Sequence, residues 1–301
     1  MKALVFGSIN VDYTYKVDHL AMPGETITCK ERSTAAGGKG LNQSIALAQA
    51  GVESHFAGSV GQDANFLLGI MKFVGVHDHV YINEEGTTGH AIIQANDDGN
   101  NCIVVYAGTN KRIPEDHVDK VLAHFEKDDY LLVQNQINVN KQVIEKALEI
   151  GMKVVLNPSP VKKSLFELPL DKIEYLVLNT VETLQICKHL GENTIRYNGR
   201  DLDEDDAYAL CEKLSQHLPI TKIVMTLGAD GSAYYDGVKK FFCPAENVKA
   251  VDTTGAGDTF TGYLVASIMQ GMQIEDAMKR ATKAAGIAVT KIGAAQSIPT
   301  I

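Results

Sequence analysis

The chain has 301 residues, 45% of them hydrophobic and 22% charged, with a formal net charge of −9 and no tryptophan. That content supports a large core. The acidic balance excludes a general affinity for nucleic acid or anionic membrane, so any polyanion must be held at a local site.

MKALVFGSINVD opens the chain as a core strand over residues 3–7 rather than as a signal peptide. The patterning then predicts a helix near 40–50, a strand over 55–60 and helices near 64–74 and 115–125. A strand over 130–134, a helix at 139–150 and strands over 153–157 and 175–179 follow. Helices at 181–190 and 204–217, with a strand over 222–226 after them, continue the alternation. Two long helices, about 258–270 and 274–290, close the chain. Short apolar runs between helices indicate an α/β fold: a mainly parallel sheet with helices on both faces. Residues 12–36 and 87–107 break this rhythm and read as β excursions with period-two alternation, turning at Asp97-Asp98-Gly99-Asn100. The two excursions are expected to pair into one small sheet. With no repeat, linker or low-complexity tract, residues 1–301 are read as one domain. No stretch approaches the ~20 apolar residues of a membrane span. Cys29, Cys102, Cys187, Cys211 and Cys243 lack CxxC spacing and read as reduced thiols of a cytoplasmic protein.

Residues 252–262, DTTGAGDTFTG, are the most informative stretch. Gly255, Ala256 and Gly257 fall at a helix start, where unpaired N–H groups and the helix dipole attract an anion. A carboxylate just beyond them, Asp258, would repel a plain phosphate. It makes sense as a base that takes a proton from a hydroxyl attacking a phosphoryl group. A Gly-rich turn with a helix-start Asp explains the stretch as well, until AGGKGLNQ (36–43) is added. This second turn opens another helix and carries Lys39 and Asn42, which suit a polyol. It is not a Walker A loop, since GxxxxGK[ST] is absent. Asn10 and Asp12, two residues apart after the first strand, share a face and can reach one pocket.

GSINVD, MPGET, AGGKGLNQ, NPSP, NTVE, TLGADG, DTTGAGDTF and GAAQSIP occur in the order found in the ribokinase-like (PfkB-type) carbohydrate kinases. The chain resembles this family from about residue 4 to 300, and MPGET and GAAQSIP lean toward its ribokinase branch. The resemblance implies a doubly wound α/β core with a small β lid, and an ATP-dependent kinase acting on a primary sugar hydroxyl. It implies that Asn10, Asp12, Gly38, Lys39 and Asn42 bind the sugar, that Asp258 is the base, and that Gly255, Ala256 and Gly257 form the anion hole. Asn179 and Glu182 match an NxxE element that orders the magnesium of Mg-ATP. Thr226, Gly228 and Gly231 fall in a loop along the nucleotide. Asp252, Thr254, Ala288, Lys291, Gly293 and Ser297 match positions around a monovalent cation, usually potassium. Relatives also imply a homodimer through the lid strands.

Two positions depart from the family. A glutamate of a QxE element is replaced in Gln134-Asn135-Gln136, which leaves Gln136 a hydrogen-bonding but uncharged contact and bears on which sugar fits. Gly61-Gln62-Asp63 is followed by Phe66 instead of glycine, read as a packing change. Fructose, another hexose or a nucleoside is the alternative substrate. A non-catalytic sugar- or nucleotide-binding relative is a second alternative. A dehydrogenase needs GxGxxG after the first strand, where the chain has GSINVD.

Bland readings cover the rest. Glu182 by itself is a solvated helix-start carboxylate, and Asp252 by itself caps a turn. The nine histidines show no HxxxH or HExxH spacing and are assigned no metal. Lys111, Arg112 and residues 201–206 (DLDEDD) read as solvated faces or a helix start, and His90 and Tyr106 as packing residues.

Overall fold

The computed structural model describes residues 1–98, 100–191, 203–220 and 222–301. In chain order its elements are β1 Ala3–Phe6, β2 Asn10–Lys16, β3 Glu31–Gly37, α1 Lys39–Gln49, β4 Ser54–Gly61, α2 Asn65–Val74 and β5 His77–Asn83. Then come β6 Gly89–Ala95, β7 Asn101–Tyr106, α3 Glu115–Leu122, β8 Tyr130–Gln134, α4 Asn140–Ile150, β9 Lys153–Asn157, β10 Tyr175–Asn179 and α5 Thr180–His189. The chain finishes with α6 Glu204–His217, β11 Ile223–Thr226, β12 Gly231–Tyr235, β13 Lys240–Pro244, α7 Ala256–Met269 and α8 Ile274–Ala288.

Nine strands form the main sheet in the order β13-β12-β11-β10-β9-β8-β1-β4-β5. The pairs from β11 through β5 are parallel, and β12 and β13 add an antiparallel edge. A parallel strand covered on both faces must be apolar throughout, and β1 shows it. Ala3 and Val5 join one core layer with residues of α1, α7 and α8. Leu4 and Phe6 join the opposite layer with α3, α4 and α6. Full burial of each large side chain contributes about 1.5–3 kcal/mol.

The six strands expected for the core are present, each within a residue of its expected end. Three strands were not anticipated: β5 and the β12–β13 hairpin. The excursions do pair, as a four-stranded sheet in the order β3-β2-β6-β7, its centre a parallel β2–β6 ladder from Asn10↔Gly89 to Lys16↔Ala95. The first excursion is not extended throughout, because residues 17–30 form an irregular loop between β2 and β3. Gly99 of the second turn lies outside the described residues, as do Asp201 and Leu202 of the acidic run. Asp203 in that run caps α6, accepting from the Asp206 amide at 2.9 Å.

Phe66 is 42% exposed, so the missing glycine is not a core packing change. Asp63 instead ties β4 to the small sheet, accepting from the amide and hydroxyl of Thr88. His90 packs between Tyr13, edge-on, and Tyr106, tilted, as a packing residue. Lys111 is not merely solvated: its Nζ donates to the Ile137 carbonyl at 3.0 Å. Burial and the neighbouring Lys162 push its pKa down to about 8. Among the described residues, no helix is long and apolar enough to cross a membrane.

Candidate active site

The parallel strands point their C-terminal ends at one cleft, the usual ligand position in such sheets. Asn10, Gly61, Gln134, Asn157, Asn179 and Thr226 all lie at or just past those ends. Into this cleft α1 and α7 bring their N-termini, the two glycine bends of the sequence.

Asp258 is 6% exposed and held by both of its oxygens. Asn42 Nδ2 donates to Oδ2 at 2.9 Å, and Gln43 Nε2 donates to Oδ1 at 2.9 Å. Gln43 is itself fixed, since Gln134 Nε2 donates to its Oε1 at 2.6 Å and its Nε2 also faces Asn157 Oδ1 at 3.2 Å. Asn157 anchors this chain of amides by donating to the Val177 carbonyl at 2.8 Å. An α-helix leaves its first N–H groups without intrahelical acceptors. In α7 the Ala256 amide turns back to the Thr253 carbonyl, and the Thr259 amide reaches the Gly255 carbonyl. That leaves the amides of Gly257 and Asp258 without a backbone acceptor among the described residues. Gly255 takes φ +77°, the left-handed region that glycine enters without strain.

The other bend is packed against β1. Gly38 has φ +96°, and a Cβ there would stand 2.8 Å from Ile9 Cα and 2.9 Å from Asn10 N. Only glycine fits. Lys39 opens α1 half-buried, and among the described residues it forms no ion pair. Asn42 Oδ1 is buried and unpartnered, an acceptor that a ligand hydroxyl would satisfy. Asn10 receives a 2.9 Å hydrogen bond from Asn110 Nδ2, and Asn110 also braces the Ile9 backbone on both sides. Asp12 sits against Gly37, where any Cβ would overlap its carboxylate. Burial pushes the Asp12 pKa up to about 6. Gln136 accepts from the Ser8 hydroxyl.

Asn179 and Glu182 form a capping box on α5: the Glu182 amide donates to Asn179 Oδ1 at 2.8 Å, and the Asn179 amide donates to Glu182 Oε2 at 3.0 Å. Glu182 is 7% exposed, so it is not the solvated carboxylate that its position suggested. Gly228 and Gly231 both have positive φ, at +62° and +124°. Asp252 accepts from the Thr254 amide and hydroxyl at 2.9 and 2.6 Å and from the Gly293 amide at 2.9 Å. Burial works to raise its pKa, but these hydrogen bonds hold it below the usual carboxylate range. They also bring the 252–254 and 288–297 segments together, with Ser297 bonded to the Ala294 carbonyl and Lys291 to that of Ala288.

Gln43, Asn157, Gln134 and Asn110 were not picked out from sequence. Gln43 had a signal, being the last residue of AGGKGLNQ. Asn110 had none, since it meets Asn10 only through the return of β7.

The model of the pfkB family carbohydrate kinases matches residues 1–301. A ribokinase of Staphylococcus aureus is 34% identical over 313 residues, covering 100% of this chain and 97% of that protein. The crystal structure of ribokinase from Cryptococcus neoformans var. grubii serotype A in complex with ADP superposes with a TM-score of 0.86 at 32% identity, covering 99% and 97% of the two chains. The structure of Arabidopsis thaliana ribokinase complexed with ribose and ATP gives a TM-score of 0.82 at 29% identity, covering 99% and 95%. The chain belongs to the pfkB family of carbohydrate kinases and is an ATP-dependent sugar kinase of ribokinase-like fold.

Proposed function

We propose that the protein transfers the γ-phosphoryl group of ATP to the primary hydroxyl of a ribose-type pentose. The observation that carries this reading is Asp258, clamped by Asn42 and Gln43 in the first turn of α7, where helix amides lack acceptors. The sugar lies between Asn10, Asp12, Gly38, Lys39, Asn42 and Gln136, its reacting hydroxyl at Asp258. The base takes the hydroxyl proton as the oxygen attacks. The free amides of Gly257 and Asp258 receive the charge that develops on the phosphoryl oxygens, whereas the Ala256 amide of the expected anion hole is already bonded to the Thr253 carbonyl. Lys39, which forms no ion pair among the described residues, adds a positive charge at the same bend. A placed base is worth about 10²–10⁴ in rate, and one amide aimed at developing charge about 10²–10³.

ATP lies along Thr226, Gly228 and Gly231, whose positive-φ glycines keep that loop free of side chains. Magnesium, carried with ATP, neutralises phosphate charge when bound. Glu182 fits a role in ordering it, since the capping box uses Oε2 and leaves Oε1. The Asp252, Thr254, Ala288, Lys291, Gly293 and Ser297 group fits a potassium ion through backbone carbonyls, because the Asp252 carboxylate is already taken by Thr254 and Gly293. The four-stranded sheet serves as a lid on a single domain. Its edge strand β7 exposes Ile103, Val104, Val105 and Tyr106, which supports pairing of two lids in a homodimer. Five cysteines without CxxC spacing suit a reducing, cytoplasmic setting.

The test is ADP release from Mg-ATP across pentoses, hexoses and nucleosides, in potassium and in tetramethylammonium. Ribose-type pentoses should give the highest kcat/KM, with potassium raising it. A hexose or nucleoside preferred by tenfold overturns the substrate assignment.

A further inference from the structure

Nine histidines are present in the chain, and His55, His77, His79, His117 and His124 meet at one corner of the main sheet. This corner is at the start of β4 and β5, the opposite end from the cleft. His55 and His77 are register partners on adjacent strands, and His79 follows on the same face. Their rings stack, His55 lying 4.7 Å from His77 and 5.3 Å from His79. His124 closes on His79 at 5.2 Å, while His117 Nε2 donates to the His79 carbonyl at 2.9 Å. Glu53 reaches in from the turn before β4, its Oε1 at 3.0 Å from His55 Nε2. One donor atom from each of Glu53, His55 and His77 lies within 4.8 Å of the others. His55, His77 and His79 border an open cavity of about 650 Å³ whose lining also includes Lys72 and Asp78.

The geometry points to a divalent transition-metal site of the zinc class, with Glu53, His55 and His77 as ligands and a fourth position open to water. Two imidazoles and one carboxylate are a recurrent donor set for zinc, with bonds of about 2.0–2.2 Å. Donors that far apart must close slightly around an ion. Glu53 and His77 are exposed and have room to turn, while buried His55 stays fixed. His55 already has the outer partner that such ligands need: its Nδ1 stands 3.0 Å from His79 Nε2. That contact lets Nδ1 carry the proton and leaves the Nε2 lone pair for the metal. The spacing rules applied to the sequence miss this group, because its members come together across strands and not along one helix. Once bound, the ion would pin edge strand β5 to β4 without entering the kinase cleft.

The experiment is titration of the untagged, nucleotide-free full chain with Zn²⁺ by calorimetry and with Co²⁺ by visible absorption. Because Cys29 and Cys102 are exposed thiols, the same titrations are run on a Cys29→Ser/Cys102→Ser protein. One equivalent should bind, with a raised Tm. His77→Ala and Glu53→Gln should weaken binding at least tenfold, and His79→Gln by about 10–100-fold through loss of the outer contact. Activity with Mg-ATP should stay unchanged in the His77 and Glu53 variants. No bound equivalent, binding indifferent to those two substitutions, or binding lost with the thiols overturns the proposal.

Discussion

Gln43 Nε2 donates to Oδ1 of Asp258 across 2.9 Å, while Asn42, its neighbour in sequence, donates to Oδ2. Two consecutive residues at the start of α1 thus hold both oxygens of a carboxylate on α7. The clamp decides where that carboxylate points before any substrate arrives. Gln43 is fully buried and bonded to Asp258, Gln134 and Asn157. Gln43→Ala should therefore lower kcat by about 10–100-fold, the worth of one hydrogen bond to a charged group. Sugar KM should move by no more than a few-fold. A change in KM with kcat intact would contradict a positioning role.

Asp258→Asn keeps the shape of the site but removes the proton acceptor. Turnover should fall by at least about a hundredfold, while sugar affinity by calorimetry stays close to wild type. Near-normal turnover would remove Asp258 as the base.

Asp12 yields a pH prediction with two opposite readouts. Its folded pKa of about 6 lies above the unfolded value of 3.8. Folding therefore favours the protonated form, whose contribution is complete below about pH 4 and lost as pH rises through about 6. Asp12→Asn should then stabilise the sugar-free protein at pH 8, by about 1–3 kcal/mol, and raise Tm. The same substitution should weaken sugar binding and flatten the rise in affinity expected for the wild type as pH passes 6. A variant that is less stable at pH 8 would show that the carboxylate is already satisfied without sugar.

Glu182 serves a helix cap and, in the proposed reaction, the magnesium site. The two roles can be separated because glutamine also completes a capping box. Glu182→Gln should leave Tm within about a degree or two and raise KM for Mg-ATP, with excess magnesium giving partial rescue. Glu182→Ala should also lose about 1 kcal/mol of stability. Equal Mg-ATP kinetics for wild type and Glu182→Gln would leave the residue a cap alone.

What could be read from the sequence follows from how far apart the cooperating residues are. The strands from β8 to β10 are unbroken apolar runs, because parallel strands are buried on both faces, and their limits were legible to the residue. Edge strand β5, HDHVYIN, is half-exposed and rich in histidine, so it carries neither an apolar run nor a clean alternation. The β12–β13 hairpin hides behind the glycines of TLGADG, which read as loop. In the site, residues inside the two glycine motifs were legible because one helix start gathers them. The amide chain from Asn157 through Gln43 to Asp258 was not, since its members come from β9, α1 and α7 and meet only on folding. Glu182 gave a correct spacing but a wrong environment, because spacing does not report burial.

Gly38 has a further consequence for altering the enzyme. The bend is filled by main chain from Ile9 and Asn10, which leaves no volume there for a larger residue. In the proposed sugar site, re-targeting to a different sugar must therefore go through side chains such as Gln136, while the bend itself keeps its glycine in any working redesign.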